Sequence, residues 1–379
     1  MVHRGVRRWK GTLLLLGTII GAGIFGVPSM IGVWGIVPFT GAFVVLTAVT
    51  LTAHLYYAEA LIANKRHSRL AGQAKHWLGR GPSWFAGVVQ ALQIFGSNLA
   101  YIILGGEFIA VIAIVAGVEV PLLYWQVAFW LIGGIFVLYG LRLVTRVESF
   151  LTWLLVAVIV ILVAVFTTQL DFTIIFNLPS SFSFEPYGVI LYAILGATSL
   201  PEVAEVVHYR REDMHLSVIR GTLAAAILTY GFGITAWLAS GGALGRDPAE
   251  VVLLLPPVLQ ILIPIFGLLA VMTSFIASAL DLRNMFHVDY HFSNAFAWVV
   301  ALGTPLALLF LTARDFLTTI GLVGSVFGAT VALLSVLMGR AALRRRKRRI
   351  KWCTLWCEVV PGIVVIFLLL GGVAWILVK

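Results

Sequence analysis

Two short stretches hold the residues best suited to chemistry. The first, Gly17-Thr18-Ile19-Ile20-Gly21-Ala22-Gly23-Ile24-Phe25-Gly26, lies inside an apolar run and is followed by Pro28. The second, Gly196-Ala197-Thr198-Ser199-Leu200-Pro201-Glu202, interrupts another apolar run with two hydroxyls, a proline and a carboxylate. Each glycine weakens a helix by about 1 kcal/mol relative to alanine. Pro201 removes a backbone donor and disfavours helix at Leu200. An unwound helix centre frees N–H groups at the start of its outer half, which suit a carboxylate. It also frees carbonyls at the end of its inner half, which suit a cation or an ammonium group. Taken alone, the first stretch is equally a close-packing surface, because Gly17 and Gly21 are four apart. The second stretch decides between these readings: two interrupted helices, five spans apart, are what an inverted repeat places at its binding site. Glu202, costly in hydrocarbon, is expected to face the protein interior or water.

Other polar residues fall in apolar runs. Gln93, Ser97 and Tyr101 are spaced by four, with Asn98 beside them, and this face is expected to line the pocket opposite the two breaks. Glu107, on the same run, is either a proton-carrying or gating carboxylate or a paired structural one. Ala270, Thr273, Ser274 and Ser278 lie on roughly one helical face. Their oxygens suit a small hard cation, completed by carbonyls near Gly17 and Ile20, or hydrogen bonds between helices. Glu59 with His54, and Asp281 with Arg283, read as structural pairs near helix ends, as does Glu205. Cys353 and Cys357, the two cysteines, are too few for a disulfide framework and lack a nearby His for a metal site.

These stretches must be positioned by membrane helices. Of 379 residues, 61% are hydrophobic and 11% charged, with a mean hydropathy of +1.03; a water-soluble domain carries about 25% charged residues. Apolar runs without period-2 alternation recur along the chain, so the spans are helices rather than barrel strands. Eleven are expected, at 10–34, 36–63, 83–117, 121–141, 147–168, 186–208, 217–240, 256–281, 293–312, 315–338 and 355–378. The segments between them leave no room for a soluble domain, so the chain is a single all-α polytopic membrane domain. The first repeat covers 10–168, the second 186–338, and 355–378 is an additional helix.

Of the 26 Lys and Arg residues, all but Arg246, Arg314 and Lys379 fall on one side when the N-terminus is placed in the cytoplasm. That asymmetry predicts a cytoplasmic N-terminus and an external C-terminus in the cell (inner) membrane. The +10 net charge is therefore a topology signal. The basic run Arg344 to Arg349 sits between two spans against anionic headgroups, and no nucleic acid partner is implied. Trp9, Trp34, Trp77, Trp84, Trp352 and Trp356 lie near span ends, as interfacial anchors do. The basic start of the chain leads into a full-length span without a cleavage site and reads as retained.

GTIIGAGIFGVP in the first span resembles the first-helix motif of the hydroxy/aromatic amino acid permeases. These belong to the amino acid/auxin permease group of the amino acid/polyamine/organocation superfamily. Leu200-Pro201-Glu202-Val203 is similar to that group's sixth-helix Ile-Pro-Glu-Ile stretch, and Thr273-Ser274-Phe275 to its eighth-helix motif. The resemblance implies the leucine-transporter fold, a five-plus-five inverted repeat with an eleventh helix, and alternating access. It places an amino acid between the first and sixth helices, with Gly21, Ala22 and Gly23 receiving its carboxylate. Ile24, Gln93, Ser97, Asn98, Tyr101, Gly196, Ala197, Thr198 and Ser199 complete the expected substrate site. Gly17, Ile20, Ala270, Thr273 and Ser274 fall where sodium-coupled members hold a cation. Members often carry His or aromatics before the sixth-helix proline, whereas this chain has Ala197-Thr198-Ser199, which argues against an aromatic substrate. The fifth span lacks the Lys that some proton-coupled relatives use.

The expected function is cation-coupled symport of a neutral amino acid, driven by Na+ or H+, in a monomer or weak homodimer with no cofactor beyond a bound Na+. An uncoupled amino acid exchanger is the alternative. A membrane enzyme is disfavoured by the lack of His-Glu-x-x-His, a nucleotide loop or a His cluster. A channel would not require two broken helices.

Overall fold

The computed structural model describes residues 2–65, 68–139, 143–176, 183–242, 244–246, 252, 257–312, 314–345 and 371. The expected eleventh span apart from Gly371, both cysteines and Arg346 to Arg349 of the basic run lie outside these residues. Within them, nine helices are long and apolar enough to cross a membrane, and a bent pair makes a tenth.

The first span is α1 (Val2–Ile19) and α2 (Val27–Trp34), joined through a 3-10 turn at Ala22–Gly26 and bent by 47°. Gly35, at φ 76°, reverses the chain directly into the second span, α3 (Ile36–Asn64). A side chain there would strain the left-handed backbone. A short helix, α4 (Leu70–Trp77), occupies part of the segment between the expected spans 36–63 and 83–117. The third span, α5 (Arg80–Val115), is one unbroken helix of 36 residues, roughly 54 Å at 1.5 Å per residue, which exceeds the bilayer core. The fourth and fifth spans are α6 (Leu122–Tyr139) and α7 (Leu143–Phe166).

The sixth span is broken like the first: α8 (Glu185–Ile194) and α9 (Leu200–Val206) are separated by a 3-10 turn at Ala197–Ser199. Leu195 is extended, so α8 stops one residue before Gly196. Pro201 then enters the first turn of α9, where its missing N–H costs nothing. The remaining spans are α10 (Arg211–Ala239), α11 (Pro257–Asn284), α12 (Asn294–Leu311), and α13 (Phe316–Leu322) continued through a π-helical turn into α14 (Ala329–Arg345). Apolar side chains such as Ile227, Leu262 and Val299 face outward, as a lipid-facing surface requires.

Small residues let the broken spans approach their neighbours. A Cβ on Gly23 would lie 2.6 Å from Ala193 Cα, one on Gly188 would collide with Gly321 O, and one on Gly324 would collide with Gly188 O. Two pairings differ from the sequence expectation. Glu59 on α3 binds Arg211 Nε at 2.6 Å and His215 Nε2 at 2.8 Å on α10, rather than pairing with His54. Asp281 on α11 pairs with Arg69 from the segment before α4, while Arg283 donates to Asn294 Oδ1 and Val137 O. In both cases a partner far away in sequence outcompetes the near neighbour.

Candidate functional site

Both breaks open onto one cavity of about 330 Å3, at the small end of the about 300–1,000 Å3 typical of ligand pockets. The first span contributes Leu14 and Gly17 through Gly23, the sixth contributes Tyr192, Leu195, Thr198, Ser199 and Glu202, and α5 contributes Gln93, Ile94, Ser97 and Tyr101. From α11 come Phe266, Ala270, Thr273, Ser274, Ala277, Ser278 and Asp281, a run of roughly 22 Å at 1.5 Å per residue. The cavity therefore extends from the breaks toward the membrane face that carries the start of α1 and Arg69.

Most of the expected site residues meet here. Gly21, Ala22, Gly23, Gln93, Ser97, Tyr101, Thr198 and Ser199 line the cavity, as do Gly17, Ile20, Ala270, Thr273, Ser274 and Glu202. Five do not. Ile24 is buried in the apolar core, and Gly196 packs on Leu15 and Ile19 of α1. Ala197 lines a neighbouring void of about 10 Å3 with Tyr57 and Gln90. Asn98 lies one helical step off the face of Gln93, Ser97 and Tyr101; it is fully buried and accepts from Ser278 Oγ at 2.5 Å. Glu107 lies nearly two turns beyond Tyr101, where Gly105 and Gly106 seat α5 on Phe129 and Gln126 of α6. Ser278, expected on the same α11 face as Thr273 and Ser274, lines the cavity too, whereas the sequence reading missed Tyr192 and Asp281. For Tyr192 the signal was present, since it lies in the turn just before the sixth-span break.

The lining is polar but lopsided in charge. Among the described residues, Glu202 and Asp281 are its carboxylates, and no Lys, Arg or His lines it. At the first break Gly21, Ala22 and Gly23 line it as well, with the Gly21 N–H donating to Ile19 O at 2.9 Å. Among the described residues, no side chain bonds to the backbone between Ile20 and Gly26. Gln93 Oε1 is buried without a protein partner, an acceptor available to an ammonium or amide N–H. On α11, the hydroxyls of Thr273 and Ser274 both donate to Ala270 O, at 2.9 and 3.0 Å. Their protons are thereby turned away, leaving oxygen lone pairs for a hard cation. Among the described residues, no group of three His, Cys, Asp or Glu could hold a metal.

The opposite membrane face is closed. Phe25 packs edge-on against Phe108 and Phe232 with ring centroids 5.1 and 6.1 Å apart. Beyond them Arg246 binds Glu185 through both terminal nitrogens, at 2.9 and 2.7 Å, and reaches Asp315 Oδ1 at 2.9 Å. Asp315 also caps α13 through the Thr318 N–H. Burial alone would raise the Asp315 pKa, but hydrogen bonds from Arg246 and Thr318 outweigh it and hold the carboxyl below its ordinary range. Arg246 is correspondingly raised, first by Glu185 and then by Asp315.

The sequence pattern of the tryptophan/tyrosine permeases matches residues 5–379. The chain belongs to the tryptophan/tyrosine permease family. It is similar to Glutamine transporter 2 of Aliivibrio fischeri (strain ATCC 700601 / ES114), with 23% identity over 328 residues, 83% of this chain and 84% of the relative. Among solved structures it is similar to MhsT in complex with L-phenylalanine, with a TM-score of 0.70, 16% identity, and coverage of 96% and 98% of the two chains. It also matches the inward-facing conformation of Mhp1, with a TM-score of 0.61, 16% identity, and coverage of 98% and 90%. This family member is thus a multi-pass membrane protein with the leucine-transporter fold, an amino acid transporter and not an enzyme. The permease family expected from the first-helix motif is confirmed.

Proposed function

We propose that this permease is a cation-coupled symporter of a neutral amino acid, working by alternating access in the cell membrane with a cytoplasmic N-terminus and an external C-terminus. One observation carries the reading: the cavity joins both helix breaks and, among the described residues, is lined by carboxylates but by no basic side chain. An amino acid in such a site directs its carboxylate to the first-span break at Gly21, Ala22 and Gly23, chiefly to the N–H groups of Ala22 and Gly23, and its ammonium toward Gln93 Oε1 and the Glu202 side. Its side chain then meets Ser97, Tyr101, Tyr192 and Thr198. The names of the relatives include tryptophan, tyrosine and glutamine, all neutral side chains.

Gly17, Ile20, Ala270, Thr273 and Ser274 form the proposed cation site, and the free lone pairs on Thr273 and Ser274 support sodium as the coupling ion. Glu202 is the candidate proton carrier if protons drive uptake instead. Residues 10–168 and 186–338 form the two proposed inverted repeats. On this topology the closed face is external and the cavity leans toward the cytoplasm. The test is uptake of radiolabelled L-glutamine, L-tryptophan and L-serine into proteoliposomes under a sodium gradient, a proton gradient, both or neither. Concentrative uptake under one gradient supports symport. Flux that appears only with amino acid preloaded inside would replace it with exchange.

A further inference from the structure

The sixth-span break has a polar support outside the cavity. His54, on α3, is fully buried. Its Nε2 lies 3.1 Å from the backbone nitrogen of Gly196, and its Nδ1 lies 3.0 Å from Thr222 Oγ1 on α10. A backbone N–H can only donate, so Nε2 carries no proton and accepts. The neutral ring then holds its proton on Nδ1, which donates to Thr222.

The position of this bond matters. Leu195 N–H still bonds Leu191 O, so Gly196 carries the first N–H beyond the end of α8. Water does not reach His54, and a buried N–H left unmet is strongly destabilising. The other side of Gly196 faces α1: a Cβ there would lie 2.5 Å from Ile19 Cγ1. The Gly196 carbonyl in turn accepts from Ser199 N at 3.2 Å and Ser199 Oγ at 3.1 Å. A chain of bonds therefore runs from Thr222 through His54 and Gly196 to Ser199, at the cavity wall. Two unbroken helices, α3 and α10, hold its outer end.

We infer that His54 is a positioning residue: it pins the Gly196 N–H and so fixes the 197–199 turn that presents Thr198 and Ser199 to the bound amino acid. The substrate arm of this inference rests on the proposed transport function, whereas the backbone arm does not. Side-chain length separates the two ring nitrogens. In His54→Gln the amide oxygen reaches the Nε2 position and accepts from Gly196. In His54→Asn the shorter amide reaches only the Nδ1 position and leaves Gly196 unmet.

The experiment compares full-length wild type, His54→Gln and His54→Asn by hydrogen–deuterium exchange of peptides covering 195–199 and by binding of L-glutamine and L-tryptophan. The Asn variant is expected to exchange about tenfold faster there and to bind about tenfold more weakly, with the Gln variant within about threefold of wild type in both. Equal behaviour of the two variants, or lost binding without faster exchange at 195–199, overturns the inference. Should His54→Asn fail to fold, 15N spectra of histidine-labelled wild type, assigned against His54→Gln, decide it. A proton on Nδ1 supports the inference and a proton on Nε2 overturns it. If wild type binds neither amino acid, the transport reading is at fault, and the exchange and tautomer results still decide the role of His54.

Discussion

Gly21 and Gly23 belong to one motif, yet the structure gives them different duties, and alanine at each position separates packing from binding. A Cβ on Gly23 would lie 2.6 Å from Ala193 Cα, 3.0 Å from Tyr192 Cδ1 and 3.1 Å from Ala193 Cβ. Carbon atoms rest about 3.5–4.0 Å apart, so α8 would have to retreat by roughly 1 Å from the first-span turn. Backbone cannot swing aside as a flexible side chain does. Overpacking of this kind costs about 1–3 kcal/mol, and Gly23→Ala is expected to destabilise the substrate-free protein by that amount. A Cβ on Gly21, by contrast, meets only Thr18 O and Tyr101 Oη, both at 4.0 Å. Its φ of −122° is open to any residue. Gly21→Ala should therefore leave substrate-free stability within about 0.5 kcal/mol of wild type, as surface-like changes do. Its methyl nevertheless enters the cavity between the first break and Tyr101, where the proposed carboxylate lies.

Thermal unfolding in detergent, with and without saturating L-glutamine or L-tryptophan, reads both quantities. Gly23→Ala should lower the midpoint without ligand. Gly21→Ala should keep that midpoint but lose most of the ligand-induced rise, because stabilisation by ligand follows RT ln(1 + [L]/Kd). A tenfold loss of affinity removes about 1.4 kcal/mol of it. Should Gly21→Ala destabilise the free protein as much as Gly23→Ala while retaining the ligand response, Gly21 is a packing residue and the assignment of the first break as the carboxylate site fails.

Three further outcomes follow from other parts of the molecule. Thr273→Ala combined with Ser274→Ala should weaken the sodium dependence of amino acid binding by about tenfold or more; an unchanged sodium titration would remove α11 from the cation site. Glu59→Gln should cost about 1–3 kcal/mol, less than the 3–5 of a fully buried pair because Arg211 and His215 are each about a third exposed. In a double-mutant cycle with Arg211→Gln the costs should be less than additive, and strict additivity would show that the pair is not coupled. Asp315→Asn keeps a helix cap but loses the charge partner of Arg246, a difference of no more than about 1 kcal/mol at this half-exposed cluster. The Asp315 pKa is depressed in the folded state. Its stabilisation is present above the ordinary carboxylate value and is lost as pH falls through the lower folded value. Unfolding midpoints of wild type and variant should differ at neutral pH and converge in acid, and a gap that widens in acid would reverse the assigned sign.

What could be read from the sequence was local. The spans follow from apolar length, and the breaks at Gly17–Gly26 and Gly196–Glu202 follow from glycine and proline, whose effects act on their own backbone. The face of Gln93, Ser97 and Tyr101 follows from helical spacing, and the same spacing rotates Asn98 away toward Ser278. Partner choice was not local. Neighbours in sequence suggested Glu59 with His54 and Asp281 with Arg283, whereas the fold brings Arg211, His215 and Arg69 closer. No spacing rule foretells which face of α3 meets α10, and that packing is what frees His54 for Gly196.

The two breaks are consequently unequal in a way that glycine content alone conceals. At the sixth-span break the protein supplies the missing partners itself: His54 accepts the Gly196 N–H, and Ser199 donates to the Gly196 carbonyl. At the first-span break the backbone from Ile20 to Gly26 receives no side-chain bond among the described residues, although it lies in the middle of a membrane helix. Backbone groups in that setting must be met by something. The Gly21 N–H donates to Ile19 O at 2.9 Å, and the cavity at Ala22 and Gly23 leaves water or a ligand to meet the groups that remain. Affinity for an anionic group should therefore reside mainly in the first span. The pinned turn of the sixth, with Thr198 exposed to the cavity, is the rigid surface against which the rest of the amino acid is measured. Substitutions at Thr198 should accordingly change which amino acid is preferred more than whether one binds. Loss of all binding in Thr198→Ala, with the 195–199 exchange unchanged, would reverse that division of labour.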